Sequence, residues 1–77
     1  MAINVTQAVN AAVHYTQSFP DLMKVYDLRL EETRLNQATN SWFITLSYTT
    51  SPIVGSVRQN KEFSIDENGN VISMKNK

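Results

Sequence analysis

The sequence predicts an α+β fold in which one N-terminal helix packs on a four-stranded antiparallel meander sheet, in the order α-β-β-β-β. Three observations support this prediction. The segment 41–50, SWFITLSYTT, alternates apolar and polar side chains with the period of two that is typical of a half-buried strand. Apolar side chains near the N-terminus recur at helical spacing. An Asn-Gly pair near the C-terminus indicates a tight hairpin.

Length and composition limit the possible functions. The 77 residues allow a single domain, 1–77, without room for a second core. A chain of this size buries only about 60% of its unfolded surface, so its stability margin is small. The absence of cysteine excludes disulfides and thiolate metal sites. Because seven Lys and Arg balance seven Asp and Glu, nucleic acid is an unfavourable partner.

The N-terminal segment lacks the basic and apolar regions of a signal peptide, and no run of about 20 apolar residues is present. We therefore expect a cytoplasmic protein with no membrane partner.

The predicted helix covers residues 4–18. Its apolar stripe recurs at steps of three and four residues and consists of Val5, Ala8, Val9, Ala12, Val13 and Thr16. Asn4 and Gln7 have the spacing of a capping box, which places the start of the helix near Asn4. Pro20 is expected to end the helix, because the residue before a proline is disfavoured in the helical region. A turn is expected over 20–24.

The first strand is predicted over 25–36, with a β-bulge in its middle. Leu35 follows Leu30 by five positions, an odd step, so on a regular strand the two side chains would face opposite sides of the sheet. An extra residue at Glu31 and Glu32 returns both leucines to the same side. The resulting pairs are Leu35 with Trp42, Thr33 with Ile44, Leu30 with Leu46 and Leu28 with Tyr48.

The remaining strands are predicted over 41–50, 57–67 and the segment after Asn68-Gly69. Pro and Gly mark 51–56 as a loop. Asn68-Gly69 predicts a two-residue type I′ turn, because both central residues of that turn need positive φ. This turn would pair Phe63 with Met74 and Ile65 with Ile72. Residues 75–77 are expected to fray.

The face of the sheet that the helix covers is expected to be apolar. Its predicted members are Leu28, Leu30, Trp42, Ile44, Leu46, Tyr48, Phe63, Ile65, Ile72 and Met74.

The closing segment 61–74, KEFSIDENGNVISM, resembles the terminal hairpin of PepSY-like and cystatin-like modules. In such modules an aromatic-x-aliphatic-Asp strand turns through a Gly into an aliphatic strand, and a single helix precedes the sheet. The resemblance implies a non-catalytic module that is often inhibitory or protein-binding. The chain departs from the pattern at 51–55, SPIVG, which is not the Gln-x-Val-x-Gly loop of cystatins. Protease inhibition is therefore not implied.

The residues capable of chemistry form no recognisable catalytic or metal-binding pattern. His14 is the only histidine and projects away from the apolar stripe, so no His/Cys zinc cluster can form. Glu31 and Glu32 could act together only through the bulge, because neighbours on a regular strand point to opposite faces. We therefore expect no enzymatic activity, no metal and no cofactor.

The second face of the sheet is the predicted binding surface. Its candidate binding residues are Arg29, Arg34, Phe43, Thr45 and Ser47. An exposed aromatic side chain among Arg and Thr suits a protein interface. The simpler interpretation is a solvated face with cross-strand pairs such as Arg34 with Phe43.

Three functional hypotheses follow. The first is a non-enzymatic protein-interaction, inhibitory or regulatory module that binds a protein partner or itself, for example as a homodimer formed through an edge strand. The alternative is a small ligand-binding or enzymatic domain with a pocket between helix and sheet that uses Glu31, Glu32 or Tyr26. The third, nucleic-acid binding, requires Arg29, Arg34, Arg58 and the C-terminal lysines on one side.

Overall fold

The computed structural model describes residues 3–18, 25–53, 55 and 57–77. Within them the elements are α1 (Val5–Gln17), β1 (Tyr26–Asn36), β2 (Ser41–Thr49), β3 (Gln59–Ile65) and β4 (Val71–Asn76). The four strands form one antiparallel sheet in the order β1-β2-β3-β4. The predicted α-β-β-β-β meander is confirmed. The helix end at Pro20 and the turn over 20–24 lie outside the described residues.

Helix α1 begins at the predicted capping box. The Asn4 side-chain oxygen accepts from the Gln7 backbone N–H at 2.8 Å, and the Gln7 side-chain oxygen accepts from the Asn4 N–H at 2.9 Å. Two backbone donors that the first turn leaves unpaired are thereby satisfied. The buried side of the helix consists of Ala8, Ala12 and Thr16. The Thr16 hydroxyl donates to the Ala12 carbonyl at 2.9 Å, so no polar group is buried without a partner there.

The hydrophobic core lies between α1 and the two central strands. Its fully buried strand residues are Ile44, Leu46, Phe63 and Ile65. The ring of Tyr15 packs edge-on against Phe63, with 5.9 Å between the ring centroids. The Trp42 indole N–H donates to the Ile3 carbonyl at 3.2 Å, which attaches the segment before α1 to β2. Helix and sheet therefore share one core.

The predicted bulge in β1 is confirmed. The ladder pairs Leu30 with Leu46 and Glu32 with Thr45, so Glu31 is the extra residue. Because this extra residue corrects the phase, Leu30 lies on the same side of the sheet as the core residue Leu46.

A second irregularity in β1 was not predicted. Leu28 was expected opposite Tyr48, but it shares that position with Asp27. The flanking pairs are Arg29 with Ser47 and Tyr26 with Thr49. Asp27 has a φ of 52°, a left-handed conformation that Asp adopts more readily than most residues.

The predicted type I′ turn at Asn68-Gly69 is wrong, because the loop contains three residues, 67–69. The Asp66 N–H donates to the Asn70 carbonyl at 2.9 Å, and the Gly69 N–H donates to the Asp66 carbonyl at 3.0 Å. Of the three loop residues, Gly69 alone has positive φ, at 87°. The Asp66 carboxylate accepts from the N–H groups of Asn68 and Asn70, both at 2.9 Å. These side-chain bonds stabilise the longer loop.

The longer loop changes the register at the start of β4. Ile65 pairs with Val71 where Ile72 was expected, and Phe63 pairs with Met74 as predicted. Val71 packs against the core, whereas Ile72 is 60% exposed. The assignment of Ile72 to the covered face is therefore wrong.

Helix α1 covers only part of the sheet. Its 13 residues span about 20 Å, whereas the longest dimension of the molecule is 41 Å. Most of its contacts are with β2 and β3. Leu30 and Leu35 of the edge strand β1 lie on the helix side but are 50% and 40% exposed.

Candidate interaction surface

The side of the sheet away from α1, here called the open face, carries the predicted binding residues. Thr45 and Ser47 are 4% and 1% exposed. Arg29 and Arg34 are exposed, and Phe43 is half-buried. The centre of the open face is therefore buried although no helix or strand among the described residues covers it.

Glu62 of β3 is the centre of this burial. Its side chain is 6% exposed, and three cations surround it: Lys75 at 3.4 Å, Arg34 at 3.5 Å and Lys77 at 3.8 Å. The guanidinium of Arg34 also lies 4.8 Å from the centroid of the Phe43 ring, which is a cation–π contact. Long cationic side chains cover apolar and hydroxyl groups with their stems while their charged ends stay in water. The predicted pairing of Arg34 with Phe43 is confirmed.

Lys77 closes the open face near the C-terminal end of β4. Its ammonium pairs with Glu32 and donates to the Thr45 hydroxyl at 3.2 Å. Its backbone N–H donates to the Asn60 carbonyl at 3.1 Å. The hydrogen bond and charge of Lys77 lower the pKa of Glu32 below its ordinary value of 4.5. The prediction that residues 75–77 fray is wrong, because β4 continues to Asn76 and Lys77 is held by these contacts.

Arg58 holds the other end of the open face. Its guanidinium donates to the Asp27 carboxylate at 2.7 Å, to the Ser47 hydroxyl at 3.1 Å and to the Ser47 carbonyl at 3.2 Å. The Ser47 hydroxyl in turn donates to Glu31. Arg58, and then Arg29, hold the pKa of Asp27 below its ordinary value of 3.8. Arg58 thus binds the left-handed Asp27 directly, and its partner Ser47 binds the bulged Glu31.

The Asp27 and Glu32 carboxylates do not have the raised pKa of a general acid. A general acid at neutral pH needs a raised pKa, and the pKa values of Asp27 and Glu32 are lowered. Burial raises the pKa of the Tyr48 hydroxyl, which makes it a weaker acid. Within the described ranges, no group of three or more His, Cys, Asp or Glu side chains is placed to hold a metal ion.

The residues nominated for a pocket between helix and sheet lie elsewhere. Glu31 and Glu32 make their contacts on the open face. Tyr26 borders a separate cavity of about 440 Å³ beside the loop between β2 and β3. The space between α1 and β1 is a groove of about 360 Å³, here called the apolar groove. Its lining residues are Val5, Thr6, Val9, Asn10, Leu30 and Thr33.

The apolar groove is the surface feature that sequence reasoning missed. Val5 was assigned to the buried stripe of the helix and Leu30 to the covered face, yet they are 38% and 50% exposed. Leu35, further along the same side of β1, is 40% exposed. Periodicity identifies which side of an element is apolar but not how far the neighbouring element extends over it.

The cations required for nucleic-acid binding do share the open face. They are Arg29, Arg34, Arg58, Lys75 and Lys77. Each of them pairs with Asp27, Glu32 or Glu62. The positive charges therefore alternate with negative ones and do not form a uniformly basic stripe.

Compared with known proteins, the chain matches no family model, no curated protein and no solved structure. Among the described residues, the structure contains no helix with the length and apolar content needed to span a bilayer.

Proposed function

We propose that the chain is a non-enzymatic protein-interaction module that binds its partner along the exposed apolar side of β1. One observation carries the proposal: α1 leaves Val5, Leu30 and Leu35 exposed next to the outer edge of the first strand in the sheet. Single exposed apolar residues are common on protein surfaces. A contiguous apolar groove beside an edge strand is instead typical of surfaces that bind proteins or extended peptides.

The predicted anchors Arg34 and Phe43 border this surface. With Leu35, Asn36 and Gln37 they line a shallow cavity of about 450 Å³ at the end of β1. Arg and aromatic side chains are enriched among residues that dominate binding energy. Thr45 and Ser47 are buried, so in this proposal they support the surface and do not contact the partner.

The open face supports a binding function over a catalytic one. Arg58 and Lys77 pair with the Asp27 and Glu32 carboxylates and lower their pKa values, which gives an ion-paired scaffold rather than a reactive site. The similarity of the hairpin and the layout to PepSY-like and cystatin-like modules, which are non-catalytic and often protein-binding, favours the same function.

The experiment is chemical cross-linking in native extract followed by mass spectrometry, with wild type, Leu30→Ser and Ile72→Ser. Ile72 is the matched control, because it is an apolar residue of the opposite edge strand with 60% exposure. Because Leu30 is already half-buried in the free chain, loss of this anchor removes about 0.8–1.5 kcal/mol of binding free energy, so we expect Leu30→Ser to reduce capture about three- to tenfold. Ile72→Ser should capture as wild type does. Equal capture by all three proteins would refute the proposal.

The alternative is a small-ligand site in the apolar groove. The observation that favours it is the volume of about 360 Å³, which falls in the range of about 300–1,000 Å³ found for ligand sites. Fragment screening by NMR tests this alternative. Saturable shifts confined to Val5, Val9 and Leu30 would favour it, and shifts scattered over the surface would count against it.

A further inference from the structure

We infer that the partner along β1 is a second copy of this chain, paired antiparallel with β1 about a two-fold axis at Thr33. This inference rests on the proposed function, because it names the partner of the same surface. The result would be a continuous eight-stranded sheet, four strands from each copy, with both helices on one side.

The outer edge of β1 offers a short regular segment for such pairing. β1 is the outermost strand of the sheet, so its outward backbone groups have no strand partner within the described residues. Between the bulge at Glu31 and the turn at 37–40, residues 32–36 form an uninterrupted ladder with β2. With the axis at Thr33, residues 32–34 of each copy pair within this segment, which corresponds to about 10 Å of strand. The bulge at Glu31 limits regular pairing to these three residues, because it distorts the edge beyond them.

Charge complementarity identifies the second copy as the partner. Glu32 and Arg34 are two residues apart, point to the open face, and their side chains are 52% and 61% exposed. When Thr33 lies opposite Thr33 of the second copy, each Glu32 lies opposite an Arg34. Opposite charges facing each other across strands stabilise the pair. The edge is therefore complementary to itself.

Other registers are less favourable. An axis at Glu32 or at Arg34 places that residue opposite its own copy, and like charges directly opposite are destabilising. An axis between two residues places open-face residues opposite helix-side residues. Opposite residues in an antiparallel ladder point to the same side of the sheet, so a two-fold axis between two residues is not compatible with a regular ladder.

The same register covers the exposed apolar side chains. With the axis at Thr33, Leu35 lies opposite the bulged Glu31 of the second copy. Leu30 of that copy is then its diagonal neighbour, within reach of a contact. Two such contacts, one on each side of the axis, would cover the half-exposed leucines. On the open face, the new pairs would join the Lys77–Glu32 and Arg34–Glu62 pairs of the two copies into one network.

The decisive experiment measures self-association of wild type, Glu32→Lys and Arg34→Glu by analytical ultracentrifugation. Each single variant places like charges across the axis, so each should associate at least tenfold more weakly than wild type. Mixed in equal amounts, the two variants should associate with each other within about threefold of the wild-type strength, because every facing pair is then opposite in charge. Circular dichroism is the control that both variants are folded. Failure of the mixture to associate would overturn the inference.

A cysteine variant tests the axis without altering charge. The chain has no cysteine of its own. Thr33→Cys places two thiols directly opposite each other, with Cβ atoms about 4.5–5.5 Å apart, close to the separation that a disulfide needs. We expect disulfide-linked dimers to form at least tenfold faster than with Thr39→Cys, an exposed control in the turn. Equal rates on a non-reducing gel would overturn the inference.

The two proposals can fail separately. If wild type is monomeric at its highest soluble concentration while Leu30-dependent capture of a different protein persists, the second copy is excluded and the proposed function stands. If Leu30→Ser affects neither self-association nor capture, both are overturned.

Discussion

The centres of the two faces of the sheet are both buried, but by different means. On the side of α1, Ile44 and Phe63 are fully buried by apolar packing against the helix. On the open face, Ser47 and Glu62 are 1% and 5% exposed although no second layer of described backbone covers them. Long cationic side chains can therefore replace a missing layer in a small domain when a carboxylate lies at their centre.

The two kinds of burial differ in what they require. Apolar packing has no directional requirement and scales with the area removed from water. The open face depends on oppositely charged partners, because a buried carboxylate that loses its cations has neither water nor an ion-pair partner. Exposed ion pairs contribute only about 0–1 kcal/mol, but Glu62 is nearly buried and should contribute more.

The largest expected effect is on the helix side. Phe63→Ala leaves a cavity against α1 and should reduce the free energy of unfolding by about 3–5 kcal/mol. Urea denaturation followed by circular dichroism measures this loss. Phe63→Leu keeps most of the volume and should lose less than about 1.5 kcal/mol. If Phe63→Ala lowered the free energy of unfolding by less than Glu62→Gln on the open face, the ranking of the two faces would be inverted.

A smaller loss is expected at the centre of the open face. Glu62→Gln keeps the shape but removes the charge shared by Arg34, Lys75 and Lys77, so we expect a loss of about 1.5–3 kcal/mol. Glu67→Gln, at an exposed position in the hairpin loop, should change stability by less than about 0.5 kcal/mol. Equal effects of the two substitutions in urea denaturation would show that the charge network does not stabilise the open face.

The smallest effect is a pH dependence confined to the open face. The pKa of Glu32 is lower in the folded chain than its ordinary value of 4.5, so the unfolded chain binds the proton more tightly. Stability from this group is therefore present above pH 4.5 and is lost as the pH falls through the lower folded value. Asp27 acts in the same sense from its ordinary value of 3.8.

Urea denaturation between about pH 6 and pH 3, at a concentration where the chain is monomeric, measures this dependence. Glu32→Gln should reduce the slope of the unfolding free energy against pH. Phe63→Leu should lower the unfolding free energy at every pH and leave that slope unchanged. An unchanged slope in Glu32→Gln would contradict the assigned role of Lys77.

Much of the fold follows from local signals. The odd separation of Leu30 and Leu35 requires an extra residue, and the bulge is at Glu31. Asn4 and Gln7 form the capping box that their spacing indicates. The hairpin turn failed because the Asp66 carboxylate captures backbone donors within the loop, a side-chain interaction that competes with the preference of Asn-Gly for a two-residue turn.

Less of the candidate surface could be predicted. The pairing of Arg34 with Phe43 follows from strand register, which the sequence indicates. The roles of Arg58 and Lys77 do not, because their partners Asp27 and Glu32 are 31 and 45 residues away along the chain. No periodic pattern in the sequence identifies such partners.

The sequence by itself determined the elements, their order and most of the strand register, because helical and strand periodicity and cap residues act over a few positions. Only the tertiary structure decided which apolar residues remain exposed and which polar residues are buried. Leu30 is exposed because α1 lies mainly over β2 and β3. Thr45 is buried because Lys77 reaches it from beyond the end of β4. Both outcomes depend on where distant elements lie in space, which local patterns do not encode.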